Sequence, residues 1–274
     1  MNETATWTMT GVPAAPVDMV MPATIQTIII GVALALNGLW VIWSLYRLIR
    51  HRDILPFTLL AGGLLTYVAV EPFYDVLGFV YHPEKGQVVA FNTLGRNFPL
   101  HLLLLYMVYW AFLAQYFMNK FEAGVSERWI WWAFCLWTPG EILFETPLLM
   151  TGLWSYYGDP PFKIGYYPLW LAPATAGSAI LAFSVLHWAR KVIGRGWAPI
   201  LSLVMGSSLA AGCLGTSWPV FIALNVDRRL SPSGYALTVP ASILTICLSA
   251  GCVWLALQLL RGVNNMEAKR TTDG

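Results

Sequence analysis

Apolar residues in this chain come in long runs and not in alternation. Seven runs stand out, at about 24–49, 55–80, 98–118, 129–150, 168–188, 197–222 and 235–260, with short polar segments between them. Crossing about 30 Å of hydrocarbon takes roughly 20 apolar residues in a helix, so each run predicts one span. The absence of period-2 alternation argues against an outer-membrane barrel. Tryptophan and tyrosine mark the run ends, as at Trp40, Trp43 and Tyr46 or at Trp129, Trp131 and Trp132, where an amphipathic ring suits the headgroup zone. The expected fold is therefore an all-α, polytopic membrane protein with a seven-transmembrane-helix bundle. Residues 1–23 form an N-terminal tail, 24–260 the bundle and 261–274 a C-terminal tail.

Composition narrows the class further. Of 274 residues, 57% are apolar and 11% charged; a soluble domain carries about 25% charged residues. That excludes an ordinary soluble enzyme, a disordered protein and a nucleic-acid-binding domain. The net charge of +2 is too small to imply a polyanionic partner. Expected partners are a lipophilic small-molecule substrate and membrane lipids, with homo-oligomerisation left open.

Basic residues set the expected topology. Alternate segments carry eleven Lys and Arg on one side of the membrane and five on the other, the tail before residue 24 having none. The positive-inside rule then puts the N-terminus outside and the C-terminus in the cytoplasm. No cleavable signal peptide is expected, since the first 23 residues lack a basic n-region. Cys135, Cys213, Cys247 and Cys252 all fall inside spans and read as packing residues.

Ionisable groups within the bilayer are costly, which makes each a site hypothesis. Span two carries Glu71 and Asp75, and span four carries Glu141 and Glu145. The i, i+4 spacing places each pair on one helical face, one turn apart. Ionising both members costs repulsion and desolvation, so one of each pair is expected to hold a proton near neutrality. With spans two and four running outward, all four lie in the outer half of the membrane. His101, near the outer end of the inward-running span three, joins them as a proton-shuttle candidate. A lone acid beside Pro72, Pro139 or Pro147 could serve only to patch a broken helix; two matched pairs at one depth point to chemistry.

The outer loops, 81–97 and 151–167, are aromatic. Candidate substrate-binding residues are Tyr67, Tyr74, Arg96, Trp154, Tyr156 and Tyr157, whose rings could shape an apolar pocket and face a developing cation. Gly158, Pro160, Pro161 and Gly165 predict fixed turns there and no helix. Arg96 could also neutralise a carboxylate, whereas His82 reads as a solvated loop residue and His187 as interfacial. Asn37 and Gln258 read as interhelical hydrogen-bond glue. No metal is expected: the four histidines are nowhere paired at i, i+3 or i, i+4. Phosphate-binding glycine motifs, a serine nucleophile elbow and HExxH are absent. The last span has no lysine to carry a retinal.

The string EPFYDVLGFVYHP, then LGRNFPLH, then a glutamate-bearing helix ending in GLWSYYGDPP resembles the AveC-type integral-membrane spirocyclases, over about residues 66–170. The resemblance implies a membrane cyclase that needs no cofactor and closes spiroketal rings in polyketides. It would make Glu71, Asp75, Glu141 and Glu145 the acid–base groups and put Tyr156 and Gly158 in a pocket-forming segment. The function expected is thus an acid–base membrane cyclase acting on a lipophilic polyketide or terpenoid. Its rivals are a proton-coupled transporter of a small lipophilic molecule, a membrane terpene cyclase, and a receptor or scaffold without catalysis.

Overall fold

A computed structural model describes residues 13–158, 160–226 and 234–272. Residues 1–12 of the tail, and Arg228 and Arg229 of the basic-residue pattern, lie outside the described residues. Among the described residues seven α-helices follow one another: α1 (Ala23–His51), α2 (Leu55–Leu77), α3 (Leu100–Glu122), α4 (Glu127–Met150), α5 (Leu171–Ile193), α6 (Ala198–Leu224) and α7 (Gly234–Thr272). All but α4 are long and apolar enough to cross a membrane, and the protein is accordingly a multi-pass membrane protein. The exception carries Glu127 and Arg128 in its first turn as well as Glu141 and Glu145, which dilute its apolar character. α7 runs past residue 260 through the expected C-terminal tail. Despite Gly262 and the Asn264–Asn265 pair, the helix continues, and Arg261 and Glu267 hold it to the bundle through Glu127 and Lys191.

The helices meet closely where side chains are small. α5 is the most buried helix, with Ala172, Ala176, Ala179 and Ala182 fully enclosed between α6 and α7. Hydrocarbon solvent offers no hydrophobic drive for helix association, so close backbone packing matters more than in water. At Gly63 of α2 an added Cβ would lie 2.5 Å from the Met107 carbonyl oxygen and 2.7 Å from that of Tyr106, both on α3. Asn37 of α1 donates to the Ala33 and Leu104 carbonyls, both at 2.8 Å, tying α1 to α3 as expected. Cys213 and Cys252 are buried, but Cys135 and Cys247 are exposed on the bundle surface. His187 is buried within the bundle, with its ring edge-on to Phe121 at 5.7 Å.

One end of the bundle is capped by three short antiparallel ladders. β1 (Val80–Tyr81) pairs with β4 (Ser155–Tyr156), which joins the two aromatic loops. β2 (Val89–Thr93) and β3 (Arg96–Pro99) form a hairpin, and β5 (Lys163–Ile164) pairs with β6 (Tyr167–Pro168). The β2–β3 turn is Leu94–Gly95, both at positive φ (51° and 71°), the two-residue geometry that follows strand twist. Phe91 and Phe98 of this hairpin pack on Tyr67 of α2. Residues before α1 reach the same end, where Met21 N–H donates to the Lys85 carbonyl at 2.9 Å and Lys85 pairs with Asp18 at 2.8 Å.

Candidate active site

Beneath the capped end lies a cavity of about 150 Å³, walled by α2, α3, α4, α5 and α6 and roofed by the β1–β4 loops. All four candidate carboxylates line it. Three of them accept a hydrogen bond from a tyrosine hydroxyl of another element. Tyr106 of α3 donates to Glu71 Oε2 at 2.5 Å, Tyr156 of β4 to Glu145 Oε2 at 3.1 Å, and Tyr167 of β6 to Glu141 Oε1 at 3.4 Å. The remaining oxygen of Glu141, Oε2, has no hydrogen-bond partner although it is buried.

His82 is not a solvated loop residue. After α2, Phe79 adopts a left-handed conformation (φ 57°), which turns the chain back over the helix end. The β1–β4 ladder then holds the returning strand, and the His82 side chain is 2% exposed. Its Nε2 lies 3.4 Å from Asp75 Oδ2 and 3.6 Å from Glu71 Oε1. Neither approach is a well-directed hydrogen bond, and both ring nitrogens lack a hydrogen-bond partner. Burial alone would lower the imidazole pKa, but the Asp75 and Glu71 carboxylates outweigh it and lift the value from 6.5 to about 10. At Tyr156, burial and the Glu145 charge push the phenol well above its usual range, so it remains an O–H donor.

The other predicted residues divide between the cavity and its supports. Tyr74, Trp154 and Tyr156 line the cavity; the Tyr74 hydroxyl points away to α6, where it meets Ser217 Oγ and the Cys213 carbonyl. Arg96 does not neutralise a carboxylate directly. Its guanidinium donates to the backbone carbonyls of Asp75 (3.1 Å) and Val80 (2.6 Å) and to the Tyr157 hydroxyl (2.9 Å). It therefore caps the C-terminal end of α2, and Tyr157 completes that clamp outside the cavity. Tyr67 is buried beside the cavity, donating to the Pro99 carbonyl at 3.3 Å. His101 is fully buried at the start of α3, off the cavity lining, with neither ring nitrogen hydrogen-bonded. Gly158 packs against Pro13 and Phe79, also off the lining.

Sequence reasoning missed one wall. Tyr106, Tyr109 and Trp110 of α3 face the cavity, and their i, i+3, i+4 spacing was the available signal. α4 packs chiefly on α5 and hardly on α3, its neighbour in sequence. Away from the cap, the rings of Phe117 and Trp137 (5.7 Å) and of Phe117 and Trp129 (5.6 Å) fill the space between α3 and α4. Nearer the cap that space is the cavity mouth. Tyr109 and Phe144 line the cavity and are also 37% and 60% exposed, so it opens sideways onto the outer surface of the bundle.

No protein-family model, curated protein or solved structure matches the chain.

Proposed function

We propose that this membrane protein is an enzyme that closes a ring in a lipophilic substrate by acid–base catalysis. The observation that carries the reading is the convergence of two carboxylate pairs, from α2 and α4, on one cavity that opens through the side of the bundle. Ligand sites usually enclose about 300–1,000 Å³; a cavity of about 150 Å³ suits the reacting part of a molecule whose remainder lies in the lateral mouth. The basic-residue asymmetry supports a capped end, and hence entry, in the outer leaflet.

One member of the Glu141/Glu145 pair acts as the acid and protonates the hydroxyl of a hemiketal carbon in the substrate, which leaves as water. The resulting oxocarbenium ion faces the Glu71/Asp75 side of the cavity and the rings of Trp154 and Tyr156. An internal hydroxyl attacks the cationic carbon, and its proton passes to a carboxylate. A positioned acid or base of this kind contributes about 10²–10⁴-fold to rate. Spiroketal closure in a polyketide, the chemistry of the AveC-type resemblance, is the form proposed.

The test compares lipid extracts by mass spectrometry from cells with and without the gene, and with Glu71→Gln, Asp75→Asn, Glu141→Gln or Glu145→Gln. A cyclised product should vanish without the gene and fall sharply in the variants. Four folded variants with undiminished product would defeat the catalytic reading. Proton-coupled flux in liposomes without product would favour a transporter.

A further inference from the structure

We propose that Glu71, Asp75 and His82 form a binding site for one divalent transition-metal ion, with an open coordination position facing the cavity. This goes beyond the acid–base reading and does not depend on it, because metal content is measurable without turnover.

The first support is geometric. The three side chains each offer a ligand atom, and these atoms lie within 4.8 Å of one another. A hydrogen bond between imidazole and carboxylate would bring nitrogen and oxygen to about 2.7–2.9 Å. The separations of 3.4 and 3.6 Å from His82 Nε2 are longer than that. They match the edge of a tetrahedron with metal–ligand bonds of about 2.1 Å, which is about 3.4 Å.

The second support is an unmet need. The His82 side chain is 2% exposed and Asp75 is 2% exposed, yet both His82 nitrogens and Asp75 Oδ1 have no hydrogen-bond partner. Buried polar atoms are almost always satisfied. The orphaned Nε2 lies within 3.6 Å of both carboxylates, close enough for one cation to be shared among the three groups. Charge agrees as well: a protonated imidazole offsets one carboxylate, whereas a divalent ion beside neutral imidazole offsets both. Tyr106 holds Glu71 Oε2 and leaves Oε1 turned to His82, as outer hydrogen bonds orient metal ligands elsewhere.

One imidazole and two carboxylates suit zinc, manganese or ferrous iron better than a soft cuprous ion. Three protein ligands leave a fourth position, and all three residues line the cavity. An ion held there would polarise a substrate oxygen as a Lewis acid.

Full-length protein in detergent, stripped with chelator and dialysed against zinc, should retain one equivalent per chain. Cobalt(II) in its place should give the visible absorption bands of a tetrahedral centre. His82→Ala, Asp75→Asn and Glu71→Gln should each weaken zinc binding at least about tenfold. Glu127→Gln, at an exposed ion pair with Arg261, should not. Monodisperse elution and helical circular dichroism show which variants are folded, and Glu71→Gln keeps the shape if His82→Ala does not fold. Failure of the folded wild type to retain zinc, or unchanged affinity in the folded variants, would overturn the site. Ring-closed product from a protein that binds no metal would leave the acid–base reading standing alone.

Discussion

His82, from the loop after α2, places its imidazole Nε2 3.4 Å from the carboxylate of Asp75, seven residues earlier in the chain, and both side chains are almost fully enclosed. Removing one partner of a buried ion pair leaves the other charge uncompensated, at about 3–5 kcal/mol. In chelator-treated protein, His82→Asn should lower stability by about that amount and Asp75→Asn by less, since Glu71 Oε1 remains 3.6 Å from the imidazole. The double variant should cost clearly less than the two singles together, since neither charge is then stranded. Thermal unfolding in detergent measures all four corners. Additive losses would mean that the two groups do not interact.

The same pair fixes a pH response. His82 is lifted from 6.5 to about 10 in the fold, so the folded state keeps a proton that the unfolded chain has already released. Its contribution is complete below about pH 6.5 and is lost as pH rises through about 10. The melting temperature of metal-free wild type should fall across that window, and His82→Asn should lack this component of the fall. Identical profiles for the two proteins would contradict the assignment.

Gly63 sets the distance between α2 and α3. A Cβ there would meet the Tyr106 and Met107 carbonyls at 2.7 and 2.5 Å, so Gly63→Val must push the helices apart. Overpacking of this kind costs about 1–3 kcal/mol. It should also draw Tyr106 away from Glu71, lowering product formation together with melting temperature. Gly38→Ala, where an added Cβ meets nothing within 4 Å, serves as the neutral control.

The lateral mouth is open to chemical labelling. In a background with Cys135 and Cys247 replaced, since both are exposed, single cysteines at Tyr109 and Phe144 should react with a membrane-partitioning maleimide. A charged, water-confined maleimide should label them poorly. Cysteine at buried Tyr67 should resist both reagents. Equal labelling of Tyr109→Cys and Phe144→Cys by the charged reagent would place the mouth in water.

Much of this molecule is readable from one dimension. Scarcity of charge and the length of the apolar runs determine a membrane helix bundle, because hydrocarbon tolerates few unpaired charges and no unpaired backbone. The i, i+4 spacing of Glu71 with Asp75, and of Glu141 with Glu145, determines that each pair shares a helical face. Counting turns along alternating helices brings both pairs to one end of the bundle.

Which groups meet at that end was decided by packing. His82 follows Asp75 by seven residues, but only the left-handed turn at Phe79 and the β1–β4 ladder, whose partner strand is some 75 residues away, fold it onto the carboxylate. The same long-range pairing brings Tyr156 to Glu145, while Arg96 is drawn to backbone carbonyls at the end of α2. Local spacing made a metal site look improbable because no histidines are paired; the three candidate ligands come from a helix and a returning loop. The α3–α4 mouth depends on how two helices splay, a property of every helix they pack against and of no single segment. Periodicity fixes which face a residue occupies, and the tertiary structure alone fixes what that face meets.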